Sequence, residues 1–265
     1  MKKFEGKTIV ITGAAAGLGY AAAENLASQG ANLSLIDYNE ETLKEAEQQL
    51  LQKYSGIKVL AIVADVSDEA AVKNYVDQTV KEFGTIDGFY NNAGIEGKQT
   101  PLIEYDTNIF KKVIDINLLG VFYGMKYIIP VMIKNGGGKI VNVSSVGGLR
   151  GVLNQAAYVA TKHAVAGLTK QAALEYGSDG ILTNAIAPGA IMTPMVEEAF
   201  RQVNPDNPEA AEKEYASRNP VKRLGTPAEV ASVVSFLLSD DNGYLNGQVI
   251  AIDGGEANFY GNEKK

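Results

Sequence analysis

Cysteine is absent from the 265 residues, and histidine occurs once, at His163. Disulfides, zinc–thiolate centres and cysteine nucleophiles are therefore excluded. Histidine-rich metal sites are excluded as well, and no metal is expected. The lack of cysteine fits a reducing compartment, so the expected location is cytoplasmic. Positive charge is also short. Lys and Arg number 24 against 31 Asp and Glu, a net charge of −7. Phosphate binding wants a basic face, so nucleic acid is not expected as a partner. No apolar run reaches the ~18 residues of a membrane span. Met1 to Lys7 is charged and has no apolar signal core. No membrane partner is expected. What remains is ordinary soluble usage, 46% hydrophobic and 21% charged. A chain of this length can bury one undivided α/β core.

The chain alternates strand and helix. Short apolar runs at residues 7–12, 32–37, 58–64, 86–90, 139–143, 182–187 and 248–252 read as strands. Helical patterns fall between them, at 20–29, 40–54, 67–83, 109–115, 118–134, 155–176 and 227–239, with Ser67 as the cap of the third. Regular alternation predicts an α/β fold, a doubly wound parallel sheet of about seven strands with helices on both faces. One domain is expected over residues 1–265. Residues 190–225 break the rhythm with two helical patches around Asn204-Pro205-Asp206-Asn207-Pro208. An excursion of that length at a ligand edge reads as a lid or specificity loop.

In such a sheet, ligands bind where the strands end. Gly13-Ala14-Ala15-Ala16-Gly17-Leu18-Gly19 follows the first strand and opens the first helix. Gly13 suits a tight turn, Gly17 a close approach to a pyrophosphate, and Gly19 close packing of helix on sheet. The helix N-terminus then offers free N–H groups to phosphate. Asp37 closes the second strand about 20 residues on, where a carboxylate binds both ribose hydroxyls and repels a 2′-phosphate. No Arg or Lys stands beside it, so NAD rather than NADP is expected. The bland alternatives are a plain small-residue turn and a helix cap.

Tyr158 and Lys162 are four residues apart in a helical stretch, which puts both on one face. The chemical possibility is an acid/base pair, in which the ammonium stabilises the phenolate. The bland reading is a surface tyrosine and a solvated lysine. A free tyrosine has a pKa of about 10, so half-ionising it near pH 7 requires roughly 4 kcal/mol. A unit charge at ~4 Å supplies that only in a partly desolvated cleft.

Taken in order, Thr12-Gly13-x-x-x-Gly17-x-Gly19, Asn91-Asn92-Ala93-Gly94, Asn117, Ser145, Tyr158-x-x-x-Lys162 and Pro188-Gly189-x-Ile191-x-Thr193 resemble the full motif set of the short-chain dehydrogenase/reductase family. The likeness runs from about residue 5 to 256. Gly94–Gln99, Val146–Gly151 and Ala187–Glu197 resemble members that use NAD on a cyclic diketone. The resemblance implies an NAD-dependent oxidoreductase interconverting a ketone and a secondary alcohol. Tyr158 would be the general acid/base, with Lys162 lowering its pKa and binding the nicotinamide ribose. Ser145 would hold the substrate oxygen, in preference to Ser144. Asn117 would support a water leading from Lys162 to solvent. Asp65 and Val66 would contact adenine, while Leu18, Asn91, Ala93, Gly94 and Pro188 would line the cofactor. Ile191 and Thr193 would hold the carboxamide. Glu96, Leu153, Met192 and Met195 are expected to wall the substrate pocket. The family also implies a homotetramer, with interfaces at the helices around 109–134 and 158–177 and the segment 248–260.

Other readings compete. A sugar, polyol or butanediol dehydrogenase, or a 3-oxoacyl-carrier-protein reductase, would use the same machinery. The carrier is itself acidic, which the net charge disfavours. A non-catalytic NAD(H) sensor would not need the tyrosine, lysine, serine and asparagine together. A hydrolase would need a G-x-S-x-G elbow, and neither Ser144 nor Ser145 has one.

Overall fold

The first strand, β1 (Thr8–Thr12), is buried throughout. Its side chains alternate between two cores: Ile9 and Ile11 enter one, Val10 the other. That is the pattern of a strand covered by helices on both faces. In the computed structural model, residues 2–258 are described. After β1 come α1 (Gly17–Ser28), β2 (Asn32–Asp37), α2 (Glu40–Lys53), β3 (Val59–Val63), α3 (Glu69–Phe83) and β4 (Gly88–Asn91). The second half holds α4 (Thr107–Ile114), α5 (Gly120–Lys134), β5 (Gly138–Val143), α6 (Ala156–Tyr176), β6 (Ile181–Pro188), α7 (Pro194–Val203), α8 (Pro208–Arg218), α9 (Pro227–Leu238) and β7 (Val249–Ile252).

All seven strands join one sheet in the order β3-β2-β1-β4-β5-β6-β7, every pair parallel. This is the Rossmann-like doubly wound sheet that the alternation predicts. One core packs α1, α2 and α9 against the sheet, with Leu26, Leu43, Leu50 and Val234 buried. The other packs α3, α5 and α6, with Tyr75, Met125, Ile128 and Val165. The chain reverses direction across the sheet between β1 and β4, opening a crevice at their carboxyl ends.

Two local expectations change. Asp68, not Ser67, caps α3: its side chain accepts from the Ala70 N–H, while Ser67 is tied to Asp65. The predicted break between residues 115 and 118 is instead a π turn, Asp115–Leu119, inside one continuous helix. The extra residue it accommodates turns Asn117 inward without ending the helix. The resulting Thr107–Lys134 helix is long and apolar enough, by length and composition, to cross a membrane. Here Val121, Met125, Ile128, Ile129 and Met132 cover the sheet. Of the segment expected at a subunit interface, Phe259 and Tyr260 lie outside the described residues.

Residues 190–225 form the lid-like excursion, carrying α7 and α8. Its two ends meet: Ile191 bridges Gly225, and the Met192 N–H donates to the Gly225 carbonyl at 3.0 Å.

Candidate active site

The crevice holds a cavity of about 480 Å³. Its walls include Gly13, Gly17, Leu18, Asp37, Asp65, Val66, Ala93, Gly94, Ser145, Tyr158, Lys162, Pro188, Ile191, Thr193 and Met195. Residues from six strand ends and from the lid thus face one space.

The glycine turn has the geometry a phosphate cradle needs. Gly13 and Gly17 have φ of 64° and 55°, the left-handed region that glycine alone enters freely. A Cβ on Gly19 would stand 1.9 Å from the Gly13 carbonyl oxygen. Gly19 is therefore a packing glycine behind the wall. The start of α1 has no side-chain cap, so its first N–H groups face the cleft without a competing acceptor. Asp37 Oδ2 accepts from the Ala15 N–H at 3.1 Å, tying β2 to the glycine turn. The cap of α2 is Asn39, which leaves Asp37 at the cavity wall.

Thr12 locks β1 to the end of β4. Its hydroxyl accepts from the Asn92 and Ala93 N–H groups at 3.0 and 3.1 Å. The Asn92 amide donates back to the Thr12 and Gly13 carbonyls. Asn91, expected on the cofactor, turns the other way. Its amide donates to the Val121 carbonyl at 3.0 Å and to Asn142 Oδ1 at 3.1 Å, inside the core. Asn92 takes the place at the wall. Strand alternation carries the signal for this, because consecutive side chains at a strand end point to opposite sides.

Ser145 and Tyr158 sit together at the inner end of the cavity. The Ser145 hydroxyl stands within hydrogen-bonding reach of the Tyr158 phenol, and Gly147 packs beside both. The Gly147 N–H donates to Ser145 Oγ at 3.1 Å and orients it. Ser144 Oγ instead donates to the Lys162 carbonyl at 2.9 Å, holding α6 to β5. Lys162 Nζ donates to the Val143 carbonyl at 2.8 Å and lies 5.4 Å from the Tyr158 ring centre. His163, the next residue, points to solvent.

Burial decides the charges of this pair. It pushes the Tyr158 phenol up to about 12, with the nearby Ser145 hydroxyl opposing and the Glu96 charge adding to the rise. Burial also pulls the Lys162 ammonium down to about 8. Desolvation, which disfavours both charged forms, is the largest cause of both shifts. The lowering expected of Lys162 belongs to a cleft closed over a bound cofactor.

Asn117 is fully buried behind the wall. Its Oδ1 accepts from the Ile95 N–H at 2.8 Å, and its amide donates to the Ile95 carbonyl at 2.7 Å. Both groups are spent on the loop after β4. A Cβ on Gly94 would be 3.1 Å from Asn117 Oδ1 and 3.6 Å from Lys162 Nζ. So the asparagine and the lysine flank the same glycine.

The expected substrate wall is partly corrected. Met195 lies on it. Leu153 is 85% exposed and is not part of the wall. Met192 is held at the base of the lid by Gly225. Glu96 stands just behind the wall, where its Oε1 accepts from Gln99 at 2.9 Å and from Gln155 at 2.5 Å. Lys112 and Ile116 also line the cavity without having been expected. They stand four apart on one helix face, the spacing that flags Tyr158 and Lys162.

Residues 13–256 match the family model described as enoyl-(acyl carrier protein) reductase. The levodione reductase of Leifsonia aquatica is 50% identical over 97% of this chain and 97% of its own. A crystal structure of levodione reductase superposes with a TM-score of 0.96, covering 97% of this chain and 100% of that one. The cyclohexanol dehydrogenase of Acinetobacter sp. (strain SE19) is 40% identical over 95% of each chain. An NAD+-bound xylitol dehydrogenase structure, 36% identical, gives 0.91 over 96% of this chain and 100% of that one. With the glycine turn, the tyrosine–lysine helix and the sheet order in agreement, the chain belongs to the short-chain dehydrogenase/reductase family of oxidoreductases.

Proposed function

We propose that this chain is an NAD-dependent enzyme that interconverts a ketone, cyclic or small, with a secondary alcohol. The observation that carries the reading is the meeting of Ser145 and Tyr158 in the inner cavity, with Lys162 beside the ring. Relatives named for levodione, cyclohexanol and a dichlorocyclohexadiene diol support a ring-shaped substrate.

The residues fit a dinucleotide. Gly13 and Gly17 give a Cβ-free turn, α1 offers its uncapped N–H groups to a pyrophosphate, and Asp37 suits two ribose hydroxyls. Asp65 and Val66 would hold adenine, and Ile191 and Thr193 the carboxamide. When bound, the nicotinamide supplies or accepts the hydride, and the protein handles the proton.

In reduction, Tyr158 donates its phenolic proton to the substrate oxygen as charge develops there. Ser145 Oγ donates a hydrogen bond to the same oxygen and fixes its orientation. In oxidation, Tyr158 accepts the hydroxyl proton. Lys162 favours the phenolate formed at that moment. Asn117 fixes the Ile95 loop that borders Lys162, and a water held there would relay the proton outward. A homotetramer, carried by the family resemblance, and a cytoplasmic setting, carried by the lack of cysteine, complete the proposal.

The test is a panel of cyclic ketones, sugars, diols and acyl thioesters, assayed with NADH and NADPH in parallel by dinucleotide absorbance. Turnover of cyclic ketones with NADH is expected. Turnover confined to acyl thioesters, or NADH binding with no turnover, would overturn the reading.

A further inference from the structure

Glu96 is a carboxylate with one oxygen committed and one free. Oε1 accepts from two carboxamides, Gln99 at 2.9 Å and Gln155 at 2.5 Å. Among the described residues, no hydrogen bond reaches Oε2. An ionised carboxylate can accept about four hydrogen bonds, so the group keeps unused capacity on one side.

The residue lies close to the chemistry. Gln155 is one turn before Tyr158 on the same helix face, so its amide holds Glu96 against the catalytic helix. Glu96 follows Gly94 and Ile95, which line the cavity. From the lid, Glu198 on α7 faces it, and the Tyr158 phenol responds to its charge. Burial pushes the carboxyl above its ordinary range. Among the described residues, no lysine or arginine contributes to its setting. A half-buried carboxylate without a cation is short of hydrogen-bond donors. Two amides hold one oxygen in place, and the other keeps its accepting capacity.

We propose that Glu96 Oε2 accepts a hydrogen bond from a hydroxyl group on the substrate, remote from the carbon that exchanges hydride, and so selects hydroxyketones and diols over plain ketones and alcohols. This rests on the ketone–alcohol reading above. Glu96 is then a specificity-determining residue, positioned by Gln99 and Gln155.

The experiment compares kcat/KM for 2-, 3- and 4-hydroxycyclohexanone with that for cyclohexanone, all with NADH. The wild-type enzyme should favour the best hydroxyketone by at least tenfold. Glu96→Met, similar in volume but without an acceptor, should bring that ratio close to one. Glu96→Gln, which keeps one acceptor oxygen, should give an intermediate ratio and preserves the fold if the first variant does not. Gln155→Leu should lower the ratio too, because it frees the carboxylate from the catalytic helix. A merely structural role would lower both substrates equally and leave the ratio unchanged. A wild-type ratio near one, or a ratio untouched in Glu96→Gln, overturns the proposal while leaving the ketone–alcohol reading intact. Absence of turnover on cyclohexanone and all three hydroxyketones sinks both.

Discussion

Lys162 reaches past Tyr158 rather than to its hydroxyl: Nζ lies 5.4 Å from the ring centre and donates to the Val143 carbonyl at 2.8 Å. The backbone carbonyl fixes the ammonium beneath the ring without consuming the phenolic oxygen. That oxygen stays free for Ser145 and for substrate. The lysine acts through space, so its effect depends on remaining charged.

This gives the pH dependence a definite shape. Oxidation needs the phenolate of Tyr158 and the ammonium of Lys162 together. With the phenol near about 12 and the ammonium near about 8, the phenolate fraction grows as pH rises, while the ammonium is lost above about 8. kcat/KM for oxidation of cyclohexanol should therefore climb about tenfold per pH unit below that point and level off above it. Reduction needs both groups protonated, so it should be flat below the same point and fall above it. The two groups titrate as a pair, and the break belongs to the pair. Oxidation that falls as pH rises from neutral would contradict the assignment.

Cofactor choice rests on Asp37. Its two oxygens also accept from the Ala15 and Asn39 N–H groups, so replacement by Asn keeps an acceptor for the loop. Tyr38 is 79% exposed and can be changed at little structural cost. Asp37→Asn with Tyr38→Arg should raise the NADP-to-NAD ratio of kcat/KM at least tenfold, since repulsion is removed and a phosphate partner added. An unchanged ratio in steady-state assays would sink the ribose argument.

Tyr90 is fully buried in the core under the cleft, and among the described residues its hydroxyl has no hydrogen-bond partner. An unsatisfied buried hydroxyl costs about 1–3 kcal/mol. Tyr90→Phe should therefore stabilise the fold, raising Tm by about 2–4 °C for each kcal/mol gained in a chain of this size. A lower Tm in a calorimetric scan would mean that the hydroxyl has a partner.

Most of the sheet is legible in the sequence because each strand is a short apolar run ending in a residue that cannot continue it. Asn32–Asp37 is the clearest case. The cavity wall is legible for the same reason, since strand ends and glycine turns fall where pattern changes. What escapes reading depends on three dimensions. The π turn at Asp115–Leu119, which holds the buried Asn117, marks the hydrophobic pattern only as an interruption, and an interruption reads as a break between two helices. Asn91 and Asn92 are chemically alike, and only the strand's orientation decides which one faces the cleft. The charge state of Tyr158 and Lys162 is set by how deeply both are buried, which their spacing cannot reveal. Leu153 flanks a motif in sequence yet lies on the outside of its loop.

The central claim is that Tyr158 carries the proton for hydride transfer with NAD. It is tested most directly by Tyr158→Phe, assayed for cyclohexanone reduction by NADH absorbance and for NADH binding by fluorescence titration. Turnover should fall by roughly 10²–10⁴-fold, the usual worth of a positioned acid/base, while NADH still binds. A variant that keeps most of its turnover would contradict the account.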